Sequence, residues 1–142
     1  MQLLDCLTLL LTIRLRRNVL NFIAIFIGGG IGAILRYILS KICKNFLNFA
    51  FCGTFLANII GCFLIGLVLG IVLKKSDLIP YTLKIFLTVG FLGGLTTFST
   101  FSWEVFEFIN SGKITQAMIY LSVSVVMGLC ATYLGFILSK QI

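Results

Sequence analysis

The residue types most able to do chemistry lie together at residues 90–101, whose sequence is Gly-Phe-Leu-Gly-Gly-Leu-Thr-Thr-Phe-Ser-Thr-Phe. Each glycine here disfavours a helix by roughly 1 kcal/mol relative to alanine, and hydroxyl side chains follow the glycines at once. The segment lies inside an apolar stretch, and in hydrocarbon every backbone N–H and C=O needs a partner. We therefore predict a helix that breaks in mid-membrane. Carbonyls exposed at such a break bind cations, and hydroxyls or free amides hold anions, so the segment predicts an ion site.

Two further apolar stretches carry polar residues in helical register. Thr54 and Asn58 are four residues apart, so they share one face of the predicted second span. The predicted fourth span has a stripe of polar or small residues, each four positions after the last: Tyr120, Ser124, Gly128 and Thr132. An Asn in a span can also simply hold helices together, and Ser or Thr often bonds its own backbone. Four such positions in register nevertheless favour a polar track.

The predicted first span combines small residues with a charge. Gly28 and Gly32 have the GxxxG spacing that lets two helices approach closely, and Arg36 follows them. A charge within a span is costly and usually faces a cavity or a partner. Because Arg36 lies near the predicted span end, its side chain can also snorkel to the headgroups. We expect Arg36 to line a pore vestibule or to form a structural pair.

Several function classes lack the residues that they need. The chain has no His, and its acidic residues are Asp5, Asp77, Glu104 and Glu107. None of these falls in the first, second or fourth predicted span, so a proton relay at membrane depth is poorly supplied. No phosphate loop, nucleophile with a base, or metal cluster is evident, and we expect no enzyme activity. The cysteines lack metal spacing and are interpreted as small buried hydrophobes: Cys6, Cys43, Cys52, Cys62 and Cys130.

Composition indicates which elements position these residues. Of 142 residues, 60% are hydrophobic and 11% are charged, which is typical of an all-α, multi-pass membrane protein. The apolar stretches predict spans near 19–40, 51–73, 81–109 and 114–138. The net charge is +7, but most Lys and Arg lie at span ends, where they meet lipid headgroups. We therefore expect the lipid bilayer as a partner and no nucleic acid.

Residues 1–18 are predicted to be an N-terminal extension, apart from a membrane domain at 19–142. Residues 3–13 are apolar but too few to span, and three arginines follow them. An interfacial helix and a mis-set translation start both fit this pattern. Without those arginines, basic residues number four on one predicted side and three on the other, which barely chooses an orientation.

Three motifs together resemble the CrcB/Fluc family of bacterial fluoride channels, over roughly residues 20–138. They are Gly-Gly-Gly-Ile-Gly-Ala-Ile-Leu-Arg-Tyr at 28–37, Gly-Thr-Phe-Leu-Ala-Asn-Ile-Ile-Gly-Cys-Phe at 53–63, and Gly-Gly-Leu-Thr-Thr-Phe-Ser-Thr-Phe at 93–101. The resemblance implies a fluoride-specific channel in the cell membrane that exports fluoride passively and lowers its toxicity. It also implies four transmembrane helices per protomer, an antiparallel dual-topology dimer with two pores, and a central structural sodium ion.

The resemblance also implies roles for individual residues. Backbone carbonyls of Gly93 and Thr96 would bind the sodium ion, and Phe98 and Phe101 would line the fluoride path with their positive ring edges. The polar side chains expected along the same path are Asn58, Thr54, Ser99, Thr100, Tyr120, Ser124 and Thr132. Gly128 stands where family members often carry Ser, so that rung lacks its hydroxyl.

Two other functions stay open at this point. A small dual-topology multidrug or cation antiporter shares the size and span number, although it would need an acidic residue in an early span. A non-transporting assembly subunit would leave the hydroxyl track without a purpose. The second protomer could be an identical chain, giving a homodimer, or a paralogue, giving a heterodimer.

Overall fold

The computed structural model describes the backbone of residues 2–47, 51–75 and 78–142, and the side chains of 14–45, 51–75 and 78–142. Three long helices are continuous: α1 (Gln2–Leu47), α2 (Phe51–Lys74) and α6 (Ile114–Ser139). The third span is composite. It consists of α3 (Tyr81–Ile85), a π-helical segment (Phe86–Leu92), α4 (Gly93–Leu95) and α5 (Phe98–Asn110). No strand occurs among the described residues.

The predicted all-α fold with four spans is confirmed. The stretches long and apolar enough to cross a membrane are Arg14–Asn45, Phe51–Lys74, Tyr81–Asn110 and Ile114–Ser139. The predicted end of the first span, near residue 40, is too early, because α1 continues to Leu47. No Gly or Pro interrupts residues 41–47, so nothing local ends the helix there. Residues 2–18 belong to the same continuous helix, and their separation from a membrane domain stays a prediction.

Glycines set how closely the helices pack. A Cβ on Gly66 of α2 would overlap the carbonyl of Thr132 on α6, and a Cβ on Gly135 would overlap the carbonyl of Phe63. On the other side of the molecule, a Cβ on Gly32 of α1 would overlap the carbonyl of Phe91 in the third span. Small residues therefore bring α2 against α6, and α1 against the third span, at backbone contact.

The predicted break in the third span is confirmed at Thr96 and Thr97. Both residues are extended, with φ −83° and ψ 153° at Thr96 and φ −149° and ψ 124° at Thr97. The π-helical turns lie immediately before the break, and such turns occur frequently at functional sites. Leu95, the last residue of α4, is fully buried. The break is therefore anchored in the protein core on one side.

Candidate functional site: the broken third span and its cavity

Asn58 of α2 takes the place of the missing helical partner at the break. Its Nδ2 donates to the carbonyl of Thr97 at 3.1 Å, and the Thr97 N–H donates to its Oδ1 at 2.8 Å. The sequence left two roles open for Asn58, and these contacts show the helix-holding one. A side-chain amide carries two N–H donors. The second N–H of Asn58 is available to bind an anion, since Asn58 also borders the cavity described below.

The Thr97 side chain begins α5 as its N-cap. Its Oγ1 accepts from the Thr100 N–H at 3.3 Å and lies 3.2 Å from both the Ser99 and the Thr100 hydroxyl oxygens. Such a cap satisfies one of the N–H groups that a helix start leaves free. Ser99 and Thr100 are exposed on the outside of the first turn of α5. They lie at the break as predicted, but neither lines the cavity in a single chain.

The two carbonyls expected to bind sodium have lost helical partners. In a continuous helix the Gly93 carbonyl would accept from the Thr97 N–H, which here donates to Asn58 instead. The Thr96 carbonyl accepts from Arg36 Nη1 at 3.5 Å, a long contact that leaves a second lone pair. Arg36 therefore points to the break rather than to the headgroups. Carbonyl oxygens at the edge of a cavity suit a hard cation, so Gly93 and Thr96 fit the expected ligand type.

A cavity of about 520 Å³ lies between α2, the broken third span and α6. Phe98 and Phe101 border it, with ring centroids 6.2 Å apart and planes tilted by 45°. Its polar wall is formed by Asn58, Thr88, Thr96, Thr97, Ser124 and Thr132. The structure thus brings together, around one space, residues that lie on three spans in the sequence.

The stripe predicted on α6 divides into two parts. Ser124 Oγ is a buried polar atom without a hydrogen-bond partner among the described residues. Thr132 Oγ1 donates to the Gly128 carbonyl of its own helix at 3.0 Å. A Cβ on Gly128 would meet only Cys62 Sγ, at 3.4 Å. Ser124 is therefore the hydroxyl in this stripe that is free to serve a ligand, and Gly128 leaves space beside it.

Glu104 of α5 is the polar residue whose importance the sequence reasoning missed. The Thr54 hydroxyl donates to its Oε1 at 2.6 Å, and the Tyr120 hydroxyl donates to its Oε2 at 2.7 Å. Each hydroxyl has a single donor, so Thr54 and Tyr120 donate to the carboxylate, away from the cavity at the break. The sequence signal for Glu104 was its charge: a carboxylate within a membrane span is energetically unfavourable, so it must find partners.

Family membership follows from a match over most of the chain. The family model described as "CrcB-like protein, Camphor Resistance (CrcB)" matches residues 23–136. The chain belongs to the CrcB-like family. The match contains the break, the cavity residues and the Glu104 network, and it begins after the arginines near the N-terminus.

Curated relatives of this CrcB-like chain carry a functional name. Proteins named "Fluoride-specific ion channel FluC" from Pelobacter propionicus and Flavobacterium psychrophilum are 47% and 43% identical over 121 and 119 residues. These alignments cover 84% and 83% of this chain and 92% and 95% of the relatives. A third, from Geobacter metallireducens, is 40% identical over 87% of this chain and 99% of its own length.

These relatives are named as ion channels, and ion channels are not enzymes, so the comparison agrees with the non-enzymatic prediction. Four apolar spans and membership in the CrcB-like family make this chain a multi-pass protein of the bacterial cell membrane.

Proposed function

We propose that this CrcB-like protein is a fluoride-specific channel that lets fluoride leave the cell down its electrochemical gradient and so lowers fluoride toxicity. The cavity at the break carries the proposal, since it joins an unpartnered buried hydroxyl to two phenylalanine rings. Relatives named as fluoride-specific channels align over more than 80% of the chain. Their identity of 43–47% supports the same ion for this chain.

Fluoride is small and strongly hydrated, so a selective path must replace its water with donors. The Ser124 hydroxyl and the second N–H of the Asn58 amide are such donors. The ring edges of Phe98 and Phe101 carry partial positive charge and can face an anion without a full opposing charge. Arg36 lies at the break itself, where its guanidinium makes the local potential more positive.

Passive transport is supported by where the carboxylates lie. Among the residues whose side chains are described, the carboxylates are Glu104 and Glu107, both on α5, and neither borders the cavity at the break. Glu104 is held by two hydroxyl donors. A proton-coupled or cation antiporter needs an accessible titratable group along its substrate path. The antiporter alternative is therefore less well supported than the channel.

A second copy is part of the proposal because the break is uncovered in one chain. Phe98 is 81% exposed, and Gly93, Ser99 and Thr100 are also exposed. Polar groups at membrane depth need protein or water over them. An antiparallel partner, identical or a paralogue, would place two breaks face to face and create two fluoride paths.

In such a dimer, the Gly93 and Thr96 carbonyls of both copies would supply four oxygens to a structural sodium ion. When bound, this ion would offset the negative ends of the carbonyl dipoles and hold the two breaks together.

Flux from liposomes tests the function. Purified protein reconstituted into vesicles loaded with fluoride and chloride should release fluoride and retain chloride. The release should not require a proton gradient when the membrane potential is clamped. Comparable chloride flux would contradict the selectivity, and fluoride uptake driven uphill by a proton gradient would restore the antiporter.

The assembly is tested on the same vesicles. Crosslinking at dilute protein should trap dimers as the active species, and active monomers would contradict the need for a second copy. Prolonged exchange into sodium-free buffer should reduce the flux, and an experimentally determined structure should show an ion between the breaks. Full flux together with no ion would overturn the sodium assignment while leaving the channel intact.

A further inference from the structure

Two cysteines that do not border the cavity at the break lie where α1 ends and α2 begins. Cys43 lies near the end of α1, and Cys52 is the second residue of α2. Both are free thiols, and Cys43 is the side chain that acts directly on the Cys52 thiol. Their spacing matches no metal-binding or redox motif, so sequence reasoning alone does not pair them.

The packing of the two helices explains this contact. A Cβ on Gly53 would overlap the backbone of Ser40, so α1 and α2 touch at that level. The short connection makes the helices antiparallel neighbours. Cys43 lies about one turn beyond Ser40, and Cys52 is adjacent to Gly53, so both cysteines lie within one turn of the Ser40–Gly53 contact. A disulfide needs such proximity, because it forms only when the two Cα atoms are about 4.4–6.8 Å apart.

The two thiols differ in how an oxidant can reach them. Cys43 is buried, with 4% of its surface exposed. Cys52 is half-buried and borders a cavity of about 600 Å³ that also contacts Lys113 and Gln116. Lys113 lies at the α5–α6 turn, so the cavity that Cys52 borders extends to a charged residue outside the helices. An oxidant therefore meets the Cys52 thiol before the buried Cys43 thiol.

We propose that Cys43 and Cys52 form an intramolecular disulfide when the protein meets a small disulfide oxidant such as oxidised glutathione. The Cys52 thiolate attacks one sulfur of the oxidant, forming a mixed disulfide and releasing one molecule of the oxidant's thiol. Cys43 then attacks Cys52, and the second thiol leaves. The two cysteines lose two protons and two electrons in total, and the oxidant is reduced to two thiols.

This disulfide would clip the end of α1 to the start of α2 at the membrane surface. Closing the loop restricts the unfolded chain more than the folded one, so the oxidised protein should resist heat better than the reduced protein. The cysteine pair is not part of a metal centre, because no three His, Cys, Asp or Glu side chains among the described residues are clustered so that they could hold a metal ion. The chemistry that the pair supports is one reversible disulfide between the two helices.

Thiol counting tests the proposal without any measurement of fluoride. The reduced, purified full-length protein is incubated with or without oxidised glutathione, denatured, and labelled with a maleimide polymer that adds a visible mass per free thiol. The wild type should fall from five labelled cysteines to three, and a peptide linking Cys43 to Cys52 within one chain should appear. Its thermal unfolding midpoint should rise.

Variants separate the two steps. Cys43→Ser should lose only one label, because Cys52 then keeps a glutathione that nothing displaces. Cys52→Ser should keep all four remaining labels, because the buried Cys43 is not reached. The matched controls Cys62→Ser and Cys130→Ser should each still lose two labels. A wild type that keeps five labels, retains glutathione on Cys52, or links Cys43 or Cys52 between chains overturns the proposal. If Cys43→Ser does not fold, the label count of Cys52→Ser still tests the proposal.

Discussion

The broken third span and the α2–α6 pair are both built on close helix contacts, yet they use those contacts in opposite ways. Helices α2 and α6 touch through Gly66 and Gly135 and remain continuous, so each helix satisfies its own backbone. The third span touches α1 through Gly32 and then stops being a helix at Thr96 and Thr97. At the break, the Thr97 N–H and the Thr96 and Thr97 carbonyls bond to side chains from other helices.

This difference shows where a membrane protein can hold an ion. In the interior of α2 and α6 the carbonyls and N–H groups pair within each helix, so the contact is limited to packing. At the break, Asn58 and Arg36 hold the Thr97 and Thr96 peptides from outside, and carbonyls lose their usual donors. Substitutions on α1 and α2 can therefore damage the site at the break. The α2–α6 contact, in contrast, responds mainly to the volume of the side chains placed in it.

The largest expected loss of stability follows Asn58→Ala. The change leaves the Thr97 N–H without a partner and removes the Asn58 donor from the Thr97 carbonyl, which still accepts the first helical bond of α5. A buried unsatisfied group costs about 1–3 kcal/mol. We expect a clear drop in the thermal midpoint and loss of fluoride flux. Asn21→Ala is the control, since Asn21 accepts a single bond from the Thr82 hydroxyl at 3.0 Å. Equal destabilisation by the two variants would show that the break does not depend on Asn58.

Next is a pair of changes on α6. A Cβ at Gly135 would overlap the Phe63 carbonyl, and overpacking costs typically about 1–3 kcal/mol. Gly128→Ala meets only a sulfur at 3.4 Å and gains roughly 1 kcal/mol of helix propensity. Thermal unfolding in detergent should therefore show opposite signs for Gly135→Ala and Gly128→Ala. Two shifts of the same sign would mean that glycine packing does not govern this contact.

A smaller effect on stability, with a large effect on transport, is expected for the ring pair. Phe98→Ile should cost less than about 1.5 kcal/mol while fluoride flux falls steeply, because the positive ring edge is lost. Phe101→Ile should lower flux in the same way and cost more stability, because its ring also packs against Tyr120 at 5.1 Å. Phe26→Ile is the matched control, since Phe26 is 82% and Phe98 is 81% exposed in one chain. Similar flux in Phe98→Ile and wild type would remove the rings from the fluoride path.

The control for this experiment has to avoid other aromatic contacts. Phe108 packs against Phe51 and Tyr120, with ring centroids 5.4 and 6.1 Å apart. Phe108→Ile should therefore disturb packing and is not a silent substitution.

The smallest effect on stability is expected for Ser124→Ala. Removing a buried hydroxyl that has no partner should leave the thermal midpoint unchanged or slightly higher. Fluoride flux should nevertheless decrease, because a donor in the path is lost. Ser122→Ala, at an exposed position of the same helix, should change neither quantity. A Ser124→Ala variant that is clearly destabilised would mean that this hydroxyl has a structural partner.

The sequence by itself determined the four spans, the break and the family, because each depends on local composition. Apolar length predicts a span wherever it occurs, and glycines followed by hydroxyls disfavour a helix whatever surrounds them. The segment 90–101 therefore predicted a break, and the structure places it at Thr96 and Thr97. The end of α1 was missed, since no local residue marks it.

Only the tertiary structure decided which polar groups meet. Asn58 and Thr97 are 39 residues apart, and Thr54 and Glu104 are 50 apart, so no spacing rule relates them. Their meeting depends on which face each helix turns to its neighbours, and glycine contacts between backbones set that rotation. For the same reason, the sequence placed Thr54 and Tyr120 in the ion path, whereas the fold joins both to Glu104. Helix rotation is a property of the packed bundle, and it is not encoded at any single position.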